Sequence, residues 1–197
     1  MTDRSIPALG PEVPSRGGTV LRVAGRALFA LLGWRVEGQM PNIPRCVIIV
    51  APHTSNWDFV IGLLALLALD LRVTWLGKHQ IFRPPFGRLL RWLGGVPVDR
   101  SAPDGVVEQA AAVLAPPRSA FVAIAPEGTR RKVERWKSGF WRIARRAGVP
   151  ILPVAFDFRT RAVVLGEPYM PIGDYAADLA ELQGRFSAEM ARNPGNY

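Results

Sequence analysis

Apolar and polar positions change period repeatedly along the chain, and the changes predict alternating strands and helices. Cys46-Val47-Ile48-Ile49-Val50 is an unbroken, β-branched apolar run bounded by proline, which predicts a buried strand. A short strand over Val36 to Met40 and a turn over Pro41-Asn42-Ile43-Pro44 precede it. Phe59 to Leu69 is apolar apart from Gly62, too short to cross a bilayer, and fits a buried or membrane-facing helix. Leu71 to Leu76 reads as a strand. Phe86 to Leu93 alternates apolar and basic residues at helical spacing, with Arg88 and Arg91 outward, and stops at Gly94-Gly95. Beyond it come an extended Val96-Pro97-Val98, a helix from Asp104 to Leu114 and a strand from Ser119 to Ala125. Ser138 to Ala147 puts Phe140, Ile143, Ala144 and Ala147 on one helical face before Gly148. Strands over Val149 to Phe158 and Ala162 to Leu165 lead to a closing helix, Asp174 to Arg192, with Leu179, Leu182, Phe186 and Met190 inward. The alternation places the chain in the α/β class, as a single domain.

The first 35 residues follow a different pattern. Met1 to Gly18 is rich in Pro, Gly and Ser without periodicity, which predicts a mobile tail, and it lacks the apolar core of a signal peptide. Thr19 to Trp34 is strongly apolar, with Arg22 and Arg26 one turn apart. Sixteen helical residues reach only about 24 Å, short of the roughly 30 Å hydrocarbon core. Residues 19–35 are therefore expected to form an amphipathic helix lying on a membrane surface; the alternative is an ordinary helix packed on the domain with two snorkelling arginines.

A chain of 197 residues is long enough for one real core. The net charge of +9 points to an anionic partner: nucleic acid, a phospholipid surface or a phosphorylated substrate. The most basic part runs from Glu127 to Arg146, with eight basic and two acidic residues interleaved with Trp136, Phe140 and Trp141. Those aromatics sit at core spacing, which argues against stacking platforms for bases. Cys46 is the single cysteine and falls in a predicted buried strand, consistent with a cytosolic, disulfide-free chain. With one cysteine and two histidines, His53 and His79, the composition disfavours a metal site.

The candidate chemistry begins where the central strand ends. Ala51-Pro52-His53-Thr54-Ser55-Asn56-Trp57-Asp58 reads as strand, turn and helix start, with Ser55 and Asp58 in the spacing of a capping box. His53 then stands at the mouth of a rigid strand, where a general base belongs, and the turn can fold Asp58 back to orient the imidazole. Alternatively, Asp58 is only a capping carboxylate and His53 only a polar turn residue.

Three further sequences settle the reading: Gly95-Val96-Pro97-Val98-Asp99-Arg100, Pro126-Glu127-Gly128-Thr129-Arg130 and Val149-Pro150-Ile151-Leu152-Pro153-Val154. Together with His53-x-x-x-x-Asp58 they resemble the glycerolipid acyltransferase family typified by lysophosphatidic acid acyltransferase, from about Val36 to Ala155. The resemblance implies that 36–197 is an acyltransferase domain with a mixed, mostly parallel sheet flanked by helices. It implies transfer of an acyl group from acyl-CoA or acyl carrier protein to a hydroxyl of a lysophospholipid-like acceptor, with no cofactor and no metal. His53 would be the base and Asp58 its orienter, while Arg100, Glu127, Gly128, Thr129 and Arg130 would form the acceptor phosphate site. Glu127 would fix a basic side chain or a backbone amide, Gly128 would let the turn approach the ligand, and Lys78 would either supply positive charge near the oxyanion or lie exposed.

Two positions depart from the family: Pro52 stands where many relatives have Asn, and Arg131 where many have Ser. Both leave the acceptor open. The expected partners are an anionic membrane surface, the acceptor and the acyl donor, without nucleic acid, and the expected place is cytoplasmic, peripheral on the inner face of the cell membrane. The competing reading is a non-catalytic basic binder of nucleic acid or anionic surfaces.

Overall fold

The central apolar run is covered on both sides in the computed structural model, which describes residues 6–98 and 103–197. The sheet contains β1 (Arg35–Glu37), β2 (Arg45–Ala51), β3 (Val73–Lys78), β4 (Gly95–Val98), β5 (Ala120–Ile124), β6 (Ile151–Asp157) and β7 (Ala162–Leu165). Their spatial order is β1-β7-β6-β2-β5-β3-β4. Only the β6/β7 pair is antiparallel, so the sheet is mixed and mostly parallel, as expected. Alternate residues of β2 serve opposite layers: Cys46 and Ile48 face one core, and Val47, Ile49 and Ala51 the other. A strand buried on both faces must be apolar throughout, which is why β2 and β6 read as continuous runs.

The helices are α1 (Thr19–Leu31), α2 (Asn56–Leu69), α3 (Gly87–Trp92), α4 (Pro103–Val113), α5 (Gly139–Ala147) and α6 (Tyr175–Gln183). From β2 the chain steps outward to β3 and β4 through α2 and α3; it then returns through α4 and α5 to β5 and β6. Right-handed crossovers put outward and return connections on opposite faces of a sheet. Accordingly α2 packs in the layer that includes Phe29 of α1, while α4, α5 and α6 pack over the other face through Val107, Phe140 and Leu182. The 79–92 connection joins the first layer, its Phe82 ring stacked on Trp75.

Residues 6–18 depart from the expected mobile tail. Val13 is buried, Arg72 N–H donates to Pro14 O (2.9 Å), and the Arg16 side chain donates to Leu71 O (3.2 Å) and Leu93 O (2.8 Å). Asp70, in the left-handed conformation at the end of α2 (φ 61°), accepts from Gly17 N–H and Gly18 N–H, both at 3.2 Å. One carboxylate thus fixes the end of α2 and supplies a negative charge at the start of α1. The composition of this stretch concealed the anchoring because its partners lie more than fifty residues away.

Helix α1 itself is docked as well as exposed. A Cβ on Gly25 would lie 2.7 Å from Leu67 Cβ, so glycine is what lets α1 approach α2. Phe29 is buried and Arg26 Nε donates to Ala68 O (3.0 Å). Val20, Val23, Leu28 and Leu31 nevertheless remain exposed. The closing helix is shorter than expected: α6 ends at Gln183 before Gly184, and Ala188–Met190 form a separate 3-10 turn. No helix among the described residues is long and apolar enough to cross a membrane.

Candidate active site

Parallel strands β2, β3, β4 and β5 all end on one edge of the sheet, and the candidate residues gather there. Beyond Ala51 the chain turns through Pro52 and His53 and enters α2 at the N-cap Ser55, whose Oγ accepts from Trp57 N–H (3.1 Å). Asp58 completes the capping box. Its Oδ2 accepts from Thr54 N–H (2.7 Å) and Ser55 N–H (2.8 Å), and its Oδ1 from Ser55 Oγ–H (3.0 Å). The same Oδ2 lies 3.1 Å from His53 Nδ1. Capping and orienting, set against each other on sequence grounds, are done by one buried carboxylate. An acceptor at Nδ1 favours the tautomer with hydrogen on that nitrogen, which leaves the Nε2 lone pair to take a proton. The His53 side chain is 19% exposed, enough to meet a substrate.

Glu127 approaches from the end of β5. Both its carboxylate oxygens accept from His53 N–H, at 3.0 and 3.2 Å, so it holds the backbone amide option foreseen for it. Burial pushes its carboxyl up to about 7, and the nearby Asp58 charge adds to the rise against the pull of the backbone amides. Near neutrality a large fraction of Glu127 is therefore uncharged, which lessens its repulsion of a phosphate.

The basic candidates are less closely tied. Gly128 has φ +66°, and a Cβ there would lie about 3.1–3.2 Å from the Lys137 side-chain atoms Cδ, Cε and Nζ. Glycine thus serves both the turn and the passage of a lysine. Lys137, which the motif reading did not single out, lies against Gly128, its backbone N–H donating to Pro126 O (2.9 Å). Thr129 Oγ1 accepts from Arg131 N–H (3.4 Å), which makes Thr129 a turn residue, and Arg130 is exposed. Lys78 closes β3 on the same edge and is exposed. Arg100 lies outside the described residues.

The carboxyl-terminal segment also belongs here, and no local pattern announced it. Asn193 donates from Nδ2 to Thr54 O (3.1 Å) and from its backbone to Thr54 Oγ1 (3.2 Å). The Arg192 guanidinium lies over the rings of Trp57 (5.3 Å) and Phe158 (5.7 Å). The Tyr197 phenol is pushed up to about 12 by burial and by the Glu127 charge. This segment braces the His53 turn from outside.

Behind His53, between α2 and the sheet, lies a cavity of about 180 Å³ lined by side chains such as Ile48, Phe59, Leu63, Trp75, Val154 and Phe156. Among the described residues, His53 and Asp58 are the only titratable ones in its wall. An alkyl chain fits such a wall and a charged group does not. No cluster of three or more potential metal ligands occurs among the described residues.

An imidazole in the wall of an apolar cavity, beside a basic turn, is an arrangement suited to transfer of a fatty acyl group. The family model described as Acyltransferase matches residues 35–157, which include both the His53–Asp58 turn and the Glu127 turn. The chain belongs to this family and is an acyltransferase. The 1-acyl-sn-glycerol-3-phosphate acyltransferase of Pseudomonas aeruginosa is 30% identical over 183 residues, 82% of this chain and 68% of that protein. The enzyme of the same name from Haemophilus influenzae is 31% identical over 152 residues, 72% of this chain and 61% of the relative. The crystal structure of the 1-acyl-sn-glycerophosphate acyltransferase from Thermotoga maritima shares the fold, with a TM-score of 0.57, 20% identity, and coverage of 82% of this chain and 72% of that one.

Proposed function

We propose that this acyltransferase moves a fatty acyl group from a thioester, acyl-CoA or acyl carrier protein, to a hydroxyl of a lysophospholipid-like acceptor. The acceptor that the relatives' names supply is 1-acylglycerol 3-phosphate. His53 Nε2 takes the proton of the acceptor hydroxyl as its oxygen attacks the thioester carbonyl; the tetrahedral adduct then collapses with cleavage of the C–S bond. The leaving thiolate takes the proton back from the imidazolium, so the step is balanced without a cofactor. Asp58 holds the ring and stabilises the imidazolium, Glu127 fixes the His53 backbone, and the apolar cavity takes the acyl chain. Arg130 and Lys137 meet the acceptor phosphate, assisted by Lys78 and by Arg100.

The observation that carries this reading is the His53 imidazole, tied to Asp58 at 3.1 Å, in the wall of a cavity that is otherwise apolar. A thiol-release assay with acyl-CoA against a panel of lyso-acceptors tests it. Release dependent on a phosphate-bearing acceptor is the expected result; no release with any acceptor or donor, from protein shown to be folded, would refute it. Arg130→Ala should raise the KM for the acceptor roughly ten- to hundred-fold while leaving that for the donor nearly unchanged, because a charge-assisted contact contributes about 1.5–3 kcal/mol. A basic nucleic-acid binder would instead show salt-dependent affinity for DNA or RNA and no turnover.

The acyl chains and the lyso-acceptor partition into membranes, and we infer that the enzyme works peripherally at the cytoplasmic leaflet. Support comes from α1, whose Val20 and Leu31 are each 81% exposed. Arg22 lies on the same helix, and Arg26 remains exposed although its Nε caps α2.

A further inference from the structure

Helix α3 and the turn before it show a surface that a water-facing element does not need. Phe86 is 65% exposed, Trp92 57%, Leu89 51% and Ile81 45%, beside the two arginines, Arg88 and Arg91, whose spacing predicted that they would face outward. The arginines are exposed too, as are Lys78 and Arg83. From Leu71 to Val98 the chain has five basic residues, Arg72, Lys78, Arg83, Arg88 and Arg91, and no acidic one. Charge and apolar bulk are thus presented together.

We propose that Ile81 to Trp92 is a second membrane-insertion site, which docks on anionic lipid together with α1 and so seats the cavity mouth against the bilayer. The proposal rests on the reading that the substrates are lipids. Its geometry follows from the fold: α1, α2 and the 79–92 connection form one layer over the same face of the sheet. Eleven of the fourteen exposed large hydrophobic residues among the described residues lie in that layer, Trp57 and Val60 of α2 among them. A six-residue helix buries too little to hold a membrane alone, but paired with α1 it fixes an orientation.

Charge selects the occupant. Between Val13 and Val98 the chain has three carboxylates. Asp58 and Asp70 are buried, and Glu37 is held by Arg35 Nε at 2.8 Å. Glu12, in the segment that packs on this layer through Val13, is exposed as well, but arginines and apolar groups predominate, which suits anionic headgroups above acyl chains. A second copy of the chain would set arginine against arginine. The basic stretch after Glu127 cannot take this role as a whole, because α5 packs on the opposite face of the sheet.

The test uses the single native cysteine, Cys46, which is fully buried and does not compete for labelling. Leu89→Cys carrying an environment-sensitive fluorophore is mixed with vesicles of phosphatidylcholine containing phosphatidylglycerol, beside Ala27→Cys on α1 and Ala180→Cys on α6. Leu89→Cys and Ala27→Cys labels should both shift to the blue, more weakly on pure phosphatidylcholine, while the Ala180→Cys label stays in water. In flotation, Phe86→Ser/Leu89→Ser/Trp92→Ser should lower the vesicle-bound fraction at least about ten-fold, since three large side chains lose their burial. A Leu89→Cys label that stays in water while the Ala27→Cys label enters the bilayer would overturn the proposal. So would a blue shift without vesicles accompanied by dimers in light scattering, the signature of a second copy on the patch. The vesicles contain neither acceptor nor thioester, so a failed thiol-release assay would refute the proposed reaction and leave this result standing.

Discussion

On the α4–α6 face of the sheet, arginines meet carboxylates: Arg146 with Glu108 at 3.3 Å and the half-buried Arg185 with Glu181 at 3.0 Å. Beneath them Asp178, fully buried, accepts from Tyr169 O–H (2.5 Å), Trp141 Nε1–H (2.7 Å), Ile172 N–H (3.1 Å) and Gly173 N–H (3.3 Å). The α1–α3 face differs, with Asp58 and Asp70 buried, Glu37 paired with Arg35, and its exposed positions divided chiefly between arginine and large apolar side chains. Both faces pack against the sheet by the same rules, yet one is finished for water and the other is not. The cavity, with His53 in its wall, lies on the α1–α3 side of the sheet, which sets this surface beside the candidate site.

Substitutions can break this comparison. Asp178→Ala should cost at least about 3 kcal/mol, because four donors lose one buried acceptor. Chemical denaturation reads the loss, and surviving folded protein should still bind anionic vesicles as the parent does. Glu127→Gln, between the two faces, should separate from the wild type with pH. The folded-state pKa of Glu127 is raised to about 7 from an ordinary 4.5, so the protonated form suits the fold and stability is lost as pH rises between those values. Glutamine still accepts from His53 N–H and never ionises; the variant should gain on the wild type by an amount approaching 3 kcal/mol, roughly, between pH 4.5 and 8. A gap that stays flat across that range would mean Glu127 ionises freely. Gly25→Ala should be milder, about 1–3 kcal/mol, since the added Cβ meets Ala68 N at 2.8 Å and Leu67 Cβ at 2.7 Å and must push α1 away from α2. Its mark would be weaker flotation, with an Ala180→Cys label still in water.

The sequence made the strands and the His53–Asp58 turn readable because their signals are local: an apolar run, a proline and a capping box within thirteen residues of one another. Glu127 was readable as a carboxylate that must serve a backbone amide or a cation, although its partner lies 74 positions earlier. Other features depend on neighbours that no window contains. Residues 6–18 look like a tail until Asp70 and Leu93 are brought beside them. Asp178 looks like any polar residue on a helix until Trp141 and Tyr169 converge on it, and Asn193 carries no mark of its bonds to Thr54. At α3 the periodicity located the helix, but the exposure of Leu89 and Trp92 depends on which elements the fold brings beside them.

Removal of the acceptor proton by His53 Nε2 is tested most directly by thiol release with His53→Ala. Assayed with acyl-CoA and a phosphate-bearing lyso-acceptor, at wild-type fold by circular dichroism, the variant should lose roughly 10²- to 10⁴-fold in turnover, the usual contribution of a positioned general base. Asp58→Asn should lose less. A His53→Ala enzyme that kept more than about a tenth of wild-type turnover, well outside that range, would contradict the account.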